Sequence, residues 1–200
     1  IGFVILIRDE RKSIHSSRLK KYITSTGTYY LPKYAYQDVI RKEIIKNRIF
    51  DEEIFDLSKK YITSNSIVID AGANYGQLSV LFSKLFNDIT IYSFEASKYI
   101  FDILDQNVKI NSNNIKAINC ALSNYTDEQY LQIPNLKKYG TYGALDLEFS
   151  SNKKNTYENK TLIRKIDDFT FEISLTISAI FILVTVSVIF MVLMFLLNKL

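Results

Sequence analysis

A β-branched run, Ile67-Val68-Ile69, closes on Asp70 and leads through Ala71-Gly72-Ala73-Asn74-Tyr75-Gly76 into an amphipathic stretch. No other feature limits the possible folds as sharply. The run suits a central parallel strand covered on both faces. Leu78, Leu81, Phe82, Leu85 and Phe86 recur at i, i+3, i+4, i+7 and i+8, which is one face of a helix. The two glycines mark a turn where backbone passes close to something. In open α/β sheets a ligand sits outside the carboxyl ends of the strands, beside such a turn.

A second strand follows. Ile89, Ile91 and Ser93 alternate with Thr90, Tyr92 and Phe94, and the run ends in Glu95, 23 residues after Gly72. An acidic side chain at that strand end can accept hydrogen bonds from both hydroxyls of a ribose. A generic βαβ unit with a surface carboxylate explains a lone glycine turn equally well. The coupling of turn and acid at this spacing favours a nucleoside site. A dinucleotide site wants G-x-G-x-x-G, but Asn74 holds the middle position and no third glycine follows. S-adenosyl-L-methionine has no pyrophosphate and needs no bare helix N-terminus, so it is preferred to NAD.

The stretch Val68 to Gly76 resembles the FkbM-type family of S-adenosylmethionine-dependent methyltransferases. So does Tyr92-Ser93-Phe94-Glu95-Ala96, where that family usually has proline in place of Ala96. Asn107 and Asn111, then Asn119-Cys120-Ala121-Leu122-Ser123, then Ile163-Arg164-Lys165-Ile166-Asp167-Asp168-Phe169 extend the similarity over residues 64 to 170. The resemblance implies an α/β, Rossmann-like methyltransferase fold and methyl transfer to an oxygen of a saccharide or lipid-linked glycan. It implies that Asp70, Gly72, Asn74 and Gly76, with Ala73 beside them, line the methionine end of the cofactor. Glu95, next to Ala96, would hold the ribose, and Cys120 and Ala121 would face the adenine. No general base stands out.

The rest of the chain narrows the alternatives. The net charge of +4 over 200 residues is scattered, without the basic and aromatic clustering of a nucleic-acid surface, so no nucleic-acid partner is expected. One cysteine excludes an internal disulfide and suits a reducing compartment; Cys120 reads as a buried structural thiol. The single histidine, His15, has no partner cysteine or histidine nearby, and no metal site is expected. Residues 1 to 63 read as an irregular and helical segment. Within it, Ile1 to Ile7 is a short apolar strand or a remnant. Residues 8 to 35 are irregular, either a lid or an aromatic surface loop. Gln37 to Tyr61 is helical with a break near Asp51 and serves packing alone. Ser97 is a candidate N-cap for a helix to Ile110. Ile115 to Leu122 and Glu128 to Ile133 are further strands. Tyr139 to Gly143 is a turn, and residues 150 to 160 are a polar loop. The N-x-T sequons at Asn124 and Asn159 read as chance.

From Ile173 to Asn198 no charged residue occurs. Twenty-odd apolar residues at helical rise cover a hydrocarbon core of ~30 Å, so residues 173 to 198 are expected to form a transmembrane helix. A pair of buried strands is the competing reading; the lack of Gly or Pro disfavours it. Lys153, Lys154, Lys160, Arg164 and Lys165 precede the run and only Lys199 follows it, which places the globular part in the cytoplasm behind a single-pass C-terminal anchor. In the resembled family an Asp-x-Glu-Gly strand follows the equivalent of Phe169, and here the apolar run stands in its place. The domain of residues 64 to 170 therefore reads as truncated, with one edge of its central strand open and little transfer activity expected. The tail is either a genuine anchor or the product of a shifted reading frame, in which case the protein is cytoplasmic. An inactive, anchored, cofactor-binding fragment is the alternative function.

Overall fold

The computed structural model describes residues 18–134, 156–172, 180–184 and 193–195. Strands β1 (Leu19–Ile23) and β2 (Thr28–Pro32) form an antiparallel hairpin in which Ile23 faces Thr28. The sequence reading expected irregular backbone here. The tyrosines conceal a two-residue period: Tyr29 and Leu31 are fully buried, while Thr28 and Tyr30 alternate with them on the more open face. Helices α1 (Val39–Ile45) and α2 (Glu52–Lys59) follow, with the break at Asp51 as expected. Asp38 caps α1 by accepting from the backbone N–H of Arg41 at 2.7 Å.

Strand β3 (Ile67–Ala71), helix α3 (Gln77–Leu85), strand β4 (Thr90–Phe94), helix α4 (Lys98–Asn111) and strand β5 (Ile115–Ile118) form the βαβαβ core. The three strands are parallel, with Asp70 opposite Ser93 and Ser93 opposite Ala117. Ser97 caps α4, accepting from the Ile100 N–H at 3.5 Å. Alternation splits the strand side chains between two faces. Val68 and Ile91 pack with Val80, Phe82, Leu104 and Val108 of the helices. Ile67, Ile69, Tyr92 and Phe94 form a second apolar cluster with Cys120 on the opposite face.

A separate three-stranded sheet follows, of β6 (Ala121–Ser123), β7 (Asp127–Pro134) and β8 (Thr156–Lys165), in the order β6-β8-β7, and Leu122 of β6 packs against that opposite face. A 3-10 helix, Ile166–Glu172, follows, and its Phe169 ring meets Phe94 edge-on at 5.0 Å. Two expectations change here. The third strand does not run unbroken to Leu122: Asn119 turns back to donate to the carbonyls of Glu95 at 2.7 Å and Ala96 at 3.3 Å, and Ala121 joins the second sheet. Of the polar segment expected as a loop over residues 150 to 160, residues 156–160 are strand and the rest lies outside the described residues. These strand residues are paired throughout to β7, so the ladder supplies their structure, and the buried positions of β8, Thr161 and Ile163, alternate with exposed Leu162.

The tail differs most from expectation. Strand β9 (Ile180–Val184) pairs parallel with β3, Ile67 opposite Ile180 and Ala71 opposite Val184, and β10 (Leu193–Phe195) pairs antiparallel with β9. The main sheet therefore has the order β10-β9-β3-β4-β5. Within the run of residues 173 to 198 expected to form a transmembrane helix, the described residues 180–184 and 193–195 are strands, and among the described residues no helix is long and apolar enough to cross a membrane. The physical reason is that a strand inside a mixed sheet reads as a continuous apolar, β-branched run, and run length alone does not separate it from a spanning helix. The edge of β3 expected to be open is occupied by β9, which removes the basis for reading the sheet as incomplete beside the turn. Ile1 to Ile7, His15 and Tyr139 to Gly143 lie outside the described residues.

Candidate functional site

The site is built at the carboxyl ends of β3 and β4. Gly72 and Ala73 both donate their N–H to the Phe94 carbonyl at 2.9 Å, drawing the turn onto the end of the neighbouring strand. Gly72 (φ 80), Asn74 (φ 49) and Gly76 (φ 83) are all left-handed. Glycine adopts that region without penalty, and asparagine is among the few other residues that tolerate it. Asn74 braces itself by accepting from the Tyr75 N–H at 2.8 Å through its own Oδ1. A Cβ on Gly76 would stand 2.7 Å from Leu104 Cδ1, so the second glycine also lets α4 lie against the turn.

Two carboxylates flank this turn. Glu95 Oε2 accepts from the Asn74 N–H at 3.2 Å, and Oε1 accepts from the Ser97 N–H at 2.8 Å. Burial pushes the Glu95 carboxyl up to about 7 despite these backbone donors, and the nearby Asp70 charge adds to the rise. Asp70 is buried at the end of β3. Its Oδ2 accepts from Ser79 Oγ at 2.6 Å, and Ser79 Oγ lies 2.6 Å from Ser93 Oγ. Asp70 Oδ1 is a buried oxygen with no hydrogen-bond partner. Burial raises the Asp70 carboxyl to about 6, opposed by the Ser79 hydrogen bonds.

A shallow cleft opens beside the turn, lined by Ile40, Phe50, Asp70, Ala73, Asn74, Gln77 and Leu78. Of the residues singled out from the sequence, Asp70, Ala73 and Asn74 line it, Gly72 and Gly76 shape its backbone, and Glu95 stands across Asn74 at the end of β4. Ala96 follows Glu95, and its carbonyl accepts from Thr161 Oγ1 at 3.1 Å. Cys120 is buried in the apolar cluster under Phe94, and burial raises its thiol to about 11. Ala121 is half-buried in β6, outside the main sheet.

Sequence reasoning missed the opposite wall of the cleft. Ile40 and Phe50 come from the segment assigned to packing alone. Phe50 is set in place by Gln77, whose Oε1 accepts from the Phe50 N–H at 2.9 Å while its Nε2 donates to the Arg48 carbonyl at 2.7 Å. Gln77 sits directly after the glycine turn, and that position was the available signal.

Over 86 residues the chain is 30% identical to the methyltransferase sdnD of Sordaria araneosa. The match covers 42% of this chain and 32% of that protein, so the chain spans about a third of the relative's length. No protein-family model matches. Among solved structures, the precorrin-6y C5,15-methyltransferase of Geobacter metallireducens is 20% identical over 36% of this chain and 40% of its own, with a TM-score of 0.32. M. jannaschii TYW2 in complex with AdoMet is 15% identical over 55% of this chain and 52% of its own, with a TM-score of 0.36.

Proposed function

We propose that the chain binds S-adenosyl-L-methionine at the β3–α3 turn and transfers its methyl group to a hydroxyl of a small molecule or saccharide, in the manner of the FkbM-type enzymes it resembles. One observation carries this reading: two buried carboxylates, Asp70 and Glu95, stand on either side of a left-handed turn at adjacent strand ends. The residues fit the cofactor. Asp70 Oδ1 has an unused lone pair at the cleft, suited to an ammonium group. Each Glu95 oxygen accepts one backbone N–H and keeps further acceptor capacity for ribose hydroxyls. The partial methyltransferase match to sdnD adds support.

When bound, the cofactor would supply a sulfonium methyl carbon open to in-line attack by an acceptor oxygen, with the C–S bond breaking and S-adenosylhomocysteine leaving as a neutral thioether. The chain's part is positioning, which contributes most of the catalysis in such transfers. Asp70 and Glu95 fix the two ends of the nucleoside amino acid. Ile40, Phe50 and Leu78 make an apolar wall that limits water near Asp70. The acceptor proton leaves to solvent or to a base outside this set.

Calorimetry with S-adenosyl-L-methionine and with NAD tests the cofactor, and transfer from labelled S-adenosyl-L-methionine to a panel of hydroxylated small molecules and glycans tests the activity. Binding that Glu95→Ala weakens supports the reading. Tighter binding of NAD overturns it.

A further inference from the structure

We infer that Asn107 is a positioning residue for the cofactor turn, an inference that rests on the cofactor site proposed above. Asn107 is fully buried in the middle of α4, between Leu104 and Val108 on the face that meets Gly76. Its Nδ2 donates to the Tyr75 carbonyl at 3.0 Å, one residue before Gly76. The same Nδ2 donates to the Tyr30 carbonyl at 3.3 Å, and Oδ1 accepts from the Tyr30 N–H at 2.7 Å. One carboxamide thus uses both donors and an acceptor on backbone groups of two distant segments.

The arrangement has a matched partner one turn on. Asn111 Oδ1 accepts from the Thr28 N–H at 3.0 Å, and its Nδ2 donates to the Thr28 carbonyl at 2.7 Å and to the Asn107 backbone carbonyl at 2.7 Å. Side chains four apart share a helix face, and alternate residues of a strand share an edge, so Asn107 and Asn111 together act as a substitute strand for β2. Only Asn107 of this pair also reaches the turn. The hairpin therefore fixes the carboxamide, and the carboxamide holds the Tyr75 carbonyl. Asn74, the residue before Tyr75 in the same turn, donates its N–H to Glu95 at 3.2 Å. A carboxamide locked at both ends presets the turn before any ligand arrives, which lowers the ordering cost of binding.

Asn111 supplies the internal control, because it docks the same hairpin without touching the turn. Asn107→Ala should weaken S-adenosyl-L-methionine binding by about tenfold, the scale of a lost buried hydrogen bond, while Asn111→Ala should leave affinity within about twofold. Both variants should lower the melting temperature. Hydrogen exchange on the empty protein gives a readout independent of ligand: the Gly76 amide should exchange faster in Asn107→Ala and at the wild-type rate in Asn111→Ala. Asn107→Asp, which keeps the acceptor for Tyr30 and loses the donor to Tyr75, should reproduce the Gly76 effect. Should both Asn107 variants fail to fold, the wild-type protein still decides: the Tyr30 and Gly76 amides should open as one unit with matching protection. Equal affinity loss in the Asn107 and Asn111 variants, or unlinked protection at Tyr30 and Gly76, overturns the inference. Wild-type protein that fails to bind the cofactor while keeping the exchange pattern overturns the cofactor reading alone.

Discussion

Glu95 and Asn74 are joined across two strand ends: the carboxylate Oε2 of Glu95 accepts the backbone N–H of Asn74 at 3.2 Å. The left-handed conformation of Asn74 (φ 49) is what presents that N–H at the turn. The acid that would bind ribose thus also holds the turn that would bind the methionine end.

Replacing Glu95 with Ala should therefore affect ligand and turn together. The loss of charged hydrogen bonds corresponds to about 1.5–3 kcal/mol in binding. Calorimetry with S-adenosyl-L-methionine measures it, and Glu95→Gln should retain more affinity than Glu95→Ala. Unchanged affinity in both variants contradicts the site assignment.

Binding should depend on pH. Glu95 in the empty protein titrates at about 7, and ribose hydroxyls donate best to the ionised form. Affinity should rise from pH 6 to pH 8 and level above that, and the Glu95→Gln variant should keep only the part of the rise near pH 6 that belongs to Asp70. Stability runs the other way. Both carboxyls are raised above their unfolded values, to about 6 for Asp70 and about 7 for Glu95. Their contribution is fully present below pH ~4 and is lost as pH rises through the folded values. Thermal melts of the empty protein between pH 4.5 and 7.5 should show this decline, and saturating ligand should reduce it.

Gly76→Ala should destabilise the protein by more than the ~1–2 kcal/mol of left-handed strain alone, because the new Cβ would meet Leu104 Cδ1 at 2.7 Å. In a Leu104→Ala background the added cost of Gly76→Ala should shrink. A double-mutant cycle by denaturant unfolding reads the coupling. A coupling of zero would mean that α4 does not press on the turn.

Ile182→Pro tests the pairing of the tail. Ile182 lies opposite Ile69 of β3 and opposite Leu193 of β10, in a strand with partners on both sides. Proline there removes a ladder donor in the sheet interior, where it is rarely tolerated. We expect a large drop in melting temperature. A melt unchanged from wild type would rule out β9 as part of the folded sheet.

Cys120 should be inert in the native protein. With its thiol raised to about 11 by burial, roughly a thousandth is thiolate at pH 8. A thiol-specific disulfide reagent should label it only after denaturant is added.

The turn and its flanks were legible in sequence because their physics is local. Glycines at left-handed positions, Ser97 as a cap and an acid at a strand end each announce themselves within a few residues. The hairpin was not legible: Tyr29 is fully buried and Tyr30 is not, and the side-chain type does not distinguish them. The cleft wall was hidden for a related reason, since Phe50 gains its place through Gln77, 27 residues away. The strand pairing of Ile180–Val184 was not legible because an apolar run carries no mark of whether backbone donors are satisfied within one helix or by neighbouring strands. Asn107 and Asn111 were visible only as a matched pair; that they pair with the edge of β2 needs the fold.

The parallel pairing of β3 with β9 sets an order of events during synthesis. Ile67 emerges from the ribosome on the order of a hundred residues before its partner Ile180. Until then one edge of an Ile-Val-Ile strand has unmet donors and acceptors, and such an edge invites pairing with another chain. β4 protects the other edge early, so the nascent domain has one open edge, on the side away from Glu95. Loop closure over that separation makes this pairing slow relative to the β3–β4 unit. Strand β9 is, in this light, the piece that closes the open edge of β3. Yield of folded protein should depend on how long the chain waits for it.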